Sequence, residues 1–191
     1  MSEQDDRVAR LLLQHEVEAW YAQEARWLDG REFQKWLGLC APEIRYVVPG
    51  RGNPLVDNRL RGQEEMISVE RELEGHSSDG LPIRDETFAY LAVRVERAYK
   101  PNSWAENPPA RTRRIVGNIE IMESSATQVS VVSAFHLHWS RPGNPNYLYA
   151  GQRRDQLTRV EDAPAGEWRL LSREVVLDMA EIEYPTLGLF F

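Results

Sequence analysis

Two histidines, His136 and His138, lie close enough in the sequence to act together on a metal ion or a proton. Their i, i+2 spacing on a predicted strand points both rings to one side. With Asp155 or Asp178 from a neighbouring strand they could supply the two histidines and one carboxylate of a non-haem iron centre. With Asp29, Asp155 or Asp178 as partner, either histidine could instead serve as the general base of a dehydratase or isomerase.

This histidine pattern has little specificity, because any antiparallel sheet rich in acids offers such pairs by chance. We favour the interpretation that both histidines bond to the backbone or to an interface partner, and we keep the stand-alone enzyme as the alternative. Cys40 is the only cysteine in the sequence. A Rieske cluster needs two cysteine and two histidine ligands, so this chain cannot hold one. We predict that Cys40 is a small buried residue at the end of a helix.

A second candidate is the arginine pair within the segment Gly151–Asp155, which could bind an anion. Arg153 and Arg154 must alternate across a strand. We therefore predict ion pairs, within the chain or across an interface, with acids such as Asp155, Glu174 and Asp178. The sequence contains no nucleophile elbow, phosphate-binding glycine loop or zinc-protease motif.

Length and composition predict one soluble globular domain that spans residues 1–191. Of the 191 residues, 42% are hydrophobic and 28% are charged, which is typical of a packed domain. The net charge of −7 argues against nucleic acid as a partner, because such binding requires a basic surface. The acidic start of the sequence does not resemble a secretion signal, and no apolar segment is long enough to span a membrane. A single cysteine agrees with a cytoplasmic location and excludes an internal disulfide.

Helical periodicity is confined to the first part of the sequence. Apolar residues recur three or four apart from Val8 to Leu28, which predicts a long amphipathic helix. The same spacing predicts a short helix over Phe33–Cys40 and another over Gln63–Glu74. Between these two, Ile44–Pro49 has the composition of a strand.

After the turn-rich stretch Gly75–Pro82, an alternating pattern predicts long strands. They are Phe88–Tyr99, Thr112–Met122, Gln128–Ser140, Tyr147–Val160 and Trp168–Asp178. Helices followed by a meander of strands indicate an α+β fold, with helices on one face of a curved, mostly antiparallel sheet.

Two features suggest contacts beyond the chain. The strand Gln128–Ser140 has apolar residues on both faces, so its second face is expected to meet a helix, a pocket or another subunit. The segment Leu187–Phe191 is strongly apolar. We expect it either to contact another subunit or to fold back over its own sheet.

Several segments, in this order, resemble the small (β) subunits of bacterial aromatic-ring-hydroxylating (Rieske non-haem iron) dioxygenases. The most specific is the turn Trp104–Arg113, which reads W-A-E-N-P-P-A-R-T-R. The others are the opening segments Trp20–Ala25, Trp27–Asp29 and Phe33–Leu37, the strand residues Ile44–Tyr46 with Val48–Pro49, and the later segments Val116–Asn118, Gly151–Leu157, Trp168–Leu170, Arg173 and Leu177–Asp178.

This resemblance implies a cone-like fold, similar to that of nuclear transport factor 2 and scytalone dehydratase. It implies a structural subunit without catalytic, cofactor or metal residues, in a complex of three β with three α subunits. The α subunit would carry a Rieske [2Fe-2S] cluster and a mononuclear Fe(II), with electrons from NADH through a reductase and usually a ferredoxin. The β subunits would also contact one another as a trimer.

A structural subunit predicts interface residues instead of an active site. We expect them to be Trp104, Arg111, Arg113, Arg153, Arg154, Asp155, Leu189, Phe190 and Phe191. The histidine pair departs from the family pattern, in which hydrophobic or neutral polar residues are more common at these positions. His136 and His138, with Asp155, therefore remain the candidates for an alternative active site.

Overall fold

The computed structural model describes residues 3–74, 81–104, 106–160, 167–181 and 189–191. The chain begins with helices α1 (Glu3–Asp29) and α2 (Phe33–Leu37), and continues with strands β1 (Cys40–Val48) and β2 (Gly50–Arg51). Short 3-10 helices over Asn58–Leu60, Glu64–Ile67 and Val69–Glu72 then lead to β3 (Leu73–Glu74). The remaining elements are β4 (Arg84–Thr87), α3 (Phe88–Ala98), β5 (Arg111–Ser124), β6 (Gln128–Ser140), β7 (Tyr147–Arg159) and β8 (Trp168–Leu177).

The main sheet has the strand order β4-β1-β8-β7-β6-β5, and the short strands β2 and β3 pair separately. All neighbours in the main sheet are antiparallel except β1 and β8, which run parallel. The sheet is curved, and the N-terminal helix packs on it. The expected α+β architecture, with helices on a curved and mostly antiparallel sheet, is therefore confirmed.

Helix α1 packs against the sheet through one stripe of side chains. Val17, Trp20, Tyr21 and Leu28 are buried and recur at helical spacing. The indole of Trp20 also donates a hydrogen bond to the carbonyl of Trp168, with 3.0 Å between nitrogen and oxygen. This stripe fixes which residues of α1 face the interior.

The same helix covers β5, which lies at the end of the sheet and would otherwise leave backbone groups unpaired. The side chain of Gln14 donates to the carbonyl of Ile119, at 2.9 Å. The carboxylate of Asp29 accepts from the backbone N–H of Arg114, at 2.7 Å. Side chains from α1 thus replace part of the missing neighbouring strand.

The core lies between α1 and the concave face of the sheet. The predicted apolar face of β6 is buried, with Val129, Val131, Phe135, Leu137 and Trp139 all nearly inaccessible. Phe190 and Phe191 complete this core. The ring centroids of Trp36 and Phe190 lie 4.3 Å apart, and those of Tyr149 and Phe191 lie 5.4 Å apart.

The strand predicted over Phe88–Tyr99 is wrong, because residues Phe88–Ala98 form helix α3. Its valines and aromatics favoured a strand. The buried residues, however, are Leu91, Arg94 and Val95, at the three- and four-residue spacing of a helix packed through one face. Packing of the buried face therefore outweighed the intrinsic preference of these residues for a strand.

Two other boundaries also differ from prediction. The helix predicted over Gln63–Glu74 is two 3-10 turns, because Ser68 is extended, with φ −64° and ψ 136°, and its hydroxyl caps the second turn. Cys40 is buried as predicted but opens strand β1 instead of ending a helix. Pro42 is accommodated where the pairing of β1 with β8 shifts register, between Cys40 and Arg45.

Gly151 in β7 gives a test of how closely the sheet is packed. A β-carbon added there would lie 2.3 Å from the backbone oxygen of Val176, which cannot move away easily. We predict that Gly151→Ala lowers the free energy of unfolding by about 1–3 kcal/mol, measured by urea titration.

Gly117 in β5 is the matched control, since a β-carbon there meets nothing within 4 Å. Gly117→Ala should leave stability within about 0.5 kcal/mol of the parent. Equal losses in the two variants would contradict the close approach at Gly151.

Candidate functional site

Four charged side chains from three elements meet inside the fold. They are Glu24 from α1, Arg153 and Asp155 from β7, and Arg173 from β8, which we call the interior charge cluster. Arg173 bonds both carboxylates: its Nη1 lies 2.6 Å from Glu24 Oε1 and its Nη2 lies 2.7 Å from Asp155 Oδ2. Arg153 Nη1 donates to Glu24 Oε2 at 3.0 Å. The ion-paired side chains are 0% exposed.

Neutral groups add further hydrogen bonds to this cluster, although Nε and Nη2 of Arg153 have no partner within the described residues. The hydroxyl of Tyr21 donates to Asp155 Oδ2 at 2.7 Å, and the indole of Trp36 donates to Glu24 Oε1 at 3.1 Å. The carbonyl of Phe191 accepts from Arg173 Nη1 at 3.1 Å and from the hydroxyl of Tyr46 at 3.0 Å. Buried charges require such partners, because water no longer solvates them.

The surroundings hold each group in one protonation state. Burial alone would raise the pKa of Glu24, but Arg173 and Arg153 outweigh it, so the pKa lies below its usual value. Burial, reinforced by Asp155, raises the pKa of Tyr21 well above normal. For Arg173, burial opposes the charge, yet Asp155 and Glu24 raise its pKa. At neutral pH, Glu24 is therefore ionised and Tyr21 protonated, so neither is suited to exchange a proton with a substrate.

The cluster packs directly against the aromatic core. The guanidinium carbon of Arg153 lies 5.0 Å from the centre of the Phe135 ring, so this arginine packs on the aromatic core. Large side chains that are almost fully buried surround it, including Trp36, Trp139 and Trp168. The interior is thus a packed, charge-neutral region and is poorly suited to catalysis.

The structure does not bring the predicted catalytic residues together. His136 and His138 are exposed on the outer face of β6, whereas Asp155 is buried on the inner face of β7, opposite Val131. Asp29 is paired with Arg114 and Thr112, and Asp178 with Arg51. The proposed pairing of a histidine with Asp155 is therefore wrong. Asp155 lies opposite Val131 of β6, and alternation along β6 places Val131 and the two histidines on opposite faces.

In the part of the chain that the structure describes, the side chains that could bind iron do not form a metal centre. Burial raises the pKa of Cys40 to about 12, which opposes the thiolate that a metal requires. Within the described ranges, no group of three or more histidine, cysteine, aspartate or glutamate side chains could hold a metal ion. None of the helices in those ranges is both long and apolar enough to cross a membrane.

Three of the predicted interface residues lie on the surface. Trp104 is 80% exposed, and Arg111 and Arg113 are also exposed at the start of β5. The turn that carries Trp104 is held in place by Arg141, whose Nη2 donates to the carbonyls of Trp104 and Asn107 at 2.9 and 2.8 Å. These residues are available to a partner.

Other predicted interface residues lie inside. Arg153 and Asp155 are 0% and 2% exposed and belong to the interior charge cluster, so a partner subunit cannot reach them. Leu189, Phe190 and Phe191 are likewise buried against the chain's own sheet, which corresponds to the second of the two expectations for this segment. Residues 187 and 188 lie outside the described residues. Arg154 is half-buried and pairs with Glu174 and Glu70, as expected for an arginine on the opposite face from Arg153.

An exposed apolar area, which we call the outer sheet patch, surrounds the two histidines. Ile115 of β5 lies opposite His136, and Leu148 of β7 lies opposite His138. Ile115 is 71% exposed and Leu148 57% exposed. Arg113, also opposite His138, adds a positive charge. Exposed apolar residues grouped on one sheet face are typical of an interaction surface.

Residue-by-residue interpretation of the sequence missed Glu24, Tyr21 and Arg173 as members of the cluster. The signal was present for Glu24, which lies four residues before Leu28 and seven after Val17 on the buried stripe of α1. A charge on an apolar helix face predicts a buried partner. Nothing in the sequence identified which partner it would be.

Comparison with known proteins identifies the family. The model of the ring hydroxylating beta subunit family matches residues 23–184. The chain belongs to this family. Its resemblance to benzene 1,2-dioxygenase subunit beta of Pseudomonas putida extends over 181 residues with 32% identity, covering 94% of this chain and 89% of the relative. This chain is accordingly a β subunit of an aromatic-ring-hydroxylating dioxygenase.

Solved structures support the fold of the β subunit. A structure of naphthalene 1,2-dioxygenase with indole bound matches with a TM-score of 0.72 and 23% identity, over 100% of both chains. A scytalone dehydratase-like protein of Novosphingobium aromaticivorans matches with a TM-score of 0.59 and 15% identity, over 89% of this chain and 87% of that one. The expected cone-like fold is thus confirmed.

Substitution of Glu24 tests whether the interior charge cluster supports the β-subunit fold. We predict that Glu24→Gln lowers the free energy of unfolding at pH 7 by about 3–5 kcal/mol, because Arg153 and Arg173 lose their shared counter-charge. Since the folded pKa of Glu24 is depressed, its stabilisation is present above the usual value of 4.5 and is lost as pH falls through the folded pKa. The difference in the free energy of unfolding between parent and variant should therefore become smaller in acid.

Glu18→Gln on the same helix is the control, because Glu18 is exposed and contacts only Gln14 among the hydrogen bonds found for it. Its effect should stay within about 0.5 kcal/mol. Chemical unfolding between pH 3 and pH 7 measures both variants. If the difference in the free energy of unfolding between the parent and Glu24→Gln becomes larger in acid, Glu24 is not ionised in the folded protein.

Proposed function

We propose that this chain is the structural β subunit of the terminal oxygenase in a multicomponent dioxygenase. The reaction would use NADH and O2 to insert both oxygen atoms into an aromatic ring as a cis-dihydrodiol. The partner α subunit would carry the Rieske [2Fe-2S] cluster and the mononuclear Fe(II). The relatives named for benzene and naphthalene support an aromatic substrate.

The interior charge cluster is the observation that carries this proposal. A stand-alone enzyme of cone fold needs a cavity with a group that can transfer protons. Here the corresponding space holds the interior charge cluster, in which Glu24 is already bonded by Arg153, Arg173 and Trp36. His136 and His138 lie outside, away from the acids considered as their partners. The dehydratase or isomerase alternative is therefore not favoured.

The outer surface supports an assembly role. Trp104, Arg111 and Arg113 are exposed near the outer sheet patch, and the first turns of α1 expose Val8, Leu11 and Leu12. Aromatic residues and arginines are enriched where protein interfaces hold their binding energy. We propose that these surfaces contact an α subunit and neighbouring β subunits in a complex of three α and three β.

The complex is proposed to act in the cytoplasm, where ferredoxin and reductase deliver electrons to the α subunit. No role in nucleic acid or membrane binding is proposed. We treat residues 1–191 as one domain, because the helices and the sheet enclose one shared core.

The first test is to express the chain with and without an oxygenase α subunit and to measure iron, acid-labile sulfide, assembled mass and dihydroxylation with a reductase. We expect the chain alone to lack iron and activity. Co-expression should give a mixed hexamer with iron and sulfide in proportion to α. Iron binding or turnover by the chain alone would refute the structural role.

Trp104 tests the proposed surface. We predict that Trp104→Ala weakens α–β association by at least about 2 kcal/mol, because a large exposed aromatic on a fixed turn is a suitable interface anchor. Dissociation of the purified complex on dilution, followed by light scattering, measures this change.

Tyr90→Ala on α3 removes another aromatic that is 64% exposed and serves as the control. It should change association by less than about 0.5 kcal/mol. Neither substitution should lower the unfolding midpoint of the β subunit alone. If Trp104→Ala leaves dissociation unchanged, the turn is not an anchor.

A further inference from the structure

A small pocket lies at the rim of the cone, between the junction of α1 and α2, the end of α3 and the start of β5. Its volume is about 210 Å³. We call it the rim pocket. Its lining includes Phe33, Ala98, Tyr99, Arg114, Trp139 and Phe190.

Aromatic rings dominate the walls of the rim pocket. Phe33 contacts Tyr99 with ring centroids 6.4 Å apart at an interplanar angle of 72°, and Phe190 with centroids 5.9 Å apart at 46°. Trp139 also lines the pocket. Such edge-to-face surroundings favour insertion of another aromatic ring. An apolar protein cavity of about 150 Å³ is large enough for benzene, so the rim pocket has room for one or two fused rings.

The pocket also has a buried polar wall at Arg114, whose side chain is 2% exposed. Arg114 Nη1 pairs with Asp29, and Nη2 donates to the carbonyl of Phe190. Its Nε has no hydrogen-bond partner within the described residues. A buried N–H without an acceptor is unfavourable, and a ligand oxygen could satisfy it.

Electrostatics decide which oxygen fits best. Asp29 already neutralises Arg114 at short range. A carboxylate on the ligand would add a buried anion to surroundings in which Arg31 and Arg114 are already balanced by Glu106 and Asp29, which is costly. A neutral hydroxyl can accept from Arg114 Nε without adding charge. The wall thus selects a neutral oxygen acceptor over an anion.

Hydrogen bonds between lining residues hold the rim pocket in shape. Arg31 Nε donates to the carbonyl of Ala110 at 2.9 Å, and the hydroxyl of Tyr99 donates to the carbonyl of Arg31 at 3.3 Å. These bonds connect the α1–α2 junction with α3 and with the segment that enters β5. A preformed pocket loses little ordering free energy when it binds a ligand.

We propose that the rim pocket binds a neutral hydroxylated aromatic compound of one or two rings. The ring lies among Phe33, Tyr99, Trp139 and Phe190, and the hydroxyl oxygen accepts a hydrogen bond from Arg114 Nε. The assignment rests on the pocket itself and does not depend on the proposed function.

The test compares phenol, benzene and benzoate as probes of the full-length chain, with affinities from NMR titration. We expect saturable binding of phenol, at least about tenfold tighter than benzene or benzoate. In Arg114→Lys, which keeps a positive charge beside Asp29 but removes Nε, the preference for phenol over benzene should fall to about twofold or less. Absence of saturable phenol binding, or tighter binding of either other probe, overturns the proposal.

A substitution that fills the rim pocket tests whether phenol binds there. Ala98→Phe should weaken phenol binding at least about tenfold, whereas Ala92→Phe, at a half-buried position of the same helix outside the pocket, should change it by less than about twofold. Circular dichroism checks that both variants fold, and Ala110→Leu replaces Ala98→Phe if the latter does not. Unchanged binding in the filled variant places phenol elsewhere and overturns the assignment.

The same titration on the co-expressed complex separates a small ligand from a partner side chain. Retained phenol binding supports the small-molecule assignment. Loss of phenol binding in the complex would mean that the partner fills the rim pocket, which overturns it.

Discussion

The bonding of Glu24 to Arg153 and Arg173 is the interaction on which the rest of this β subunit depends. It joins α1 to β7 and β8 in the interior, where water cannot solvate either charge. Such a group is stable only when every charge has a partner, because an unpaired ion at this depth costs several kcal/mol. Helix α1 is thereby fixed on the sheet.

The interior holds the charge cluster, and the candidate contact surfaces lie on the outside of the chain. A scytalone dehydratase-like protein shares this fold, and in this β subunit the interior contains paired ions and aromatic side chains. The exposed residues Trp104, Ile115 and Leu148 lie on the turn before β5 and on the convex face of the sheet. A shared fold does not by itself determine function, so the likeness to that protein does not assign its activity to this chain.

Helix α1 has three roles that a single amphipathic pattern made possible. Its buried stripe packs the core, Glu24 on that stripe neutralises the arginines, and Gln14 and Asp29 bond the backbone of the edge strand β5. Asp29 also pairs with Arg114, which forms a wall of the rim pocket. Edge protection, core electrostatics and the pocket are therefore coupled through one helix.

The sequence by itself determined the α+β class, the positions of α1 and of β5 to β8, the buried face of β6 and, through the Trp104–Arg113 turn, the family. These follow from local periodicity and from one specific motif. Only the tertiary structure decided that Phe88–Ala98 is a helix, since packing of Leu91 and Val95 overrode strand propensity. The tertiary structure likewise decided that Asp155 faces inward, away from the outer face that carries His136. The inner face of β7 carries the charges of Arg153 and Asp155, so its local pattern does not mark it as buried. Its burial depends on Glu24 and Arg173, which distant segments supply.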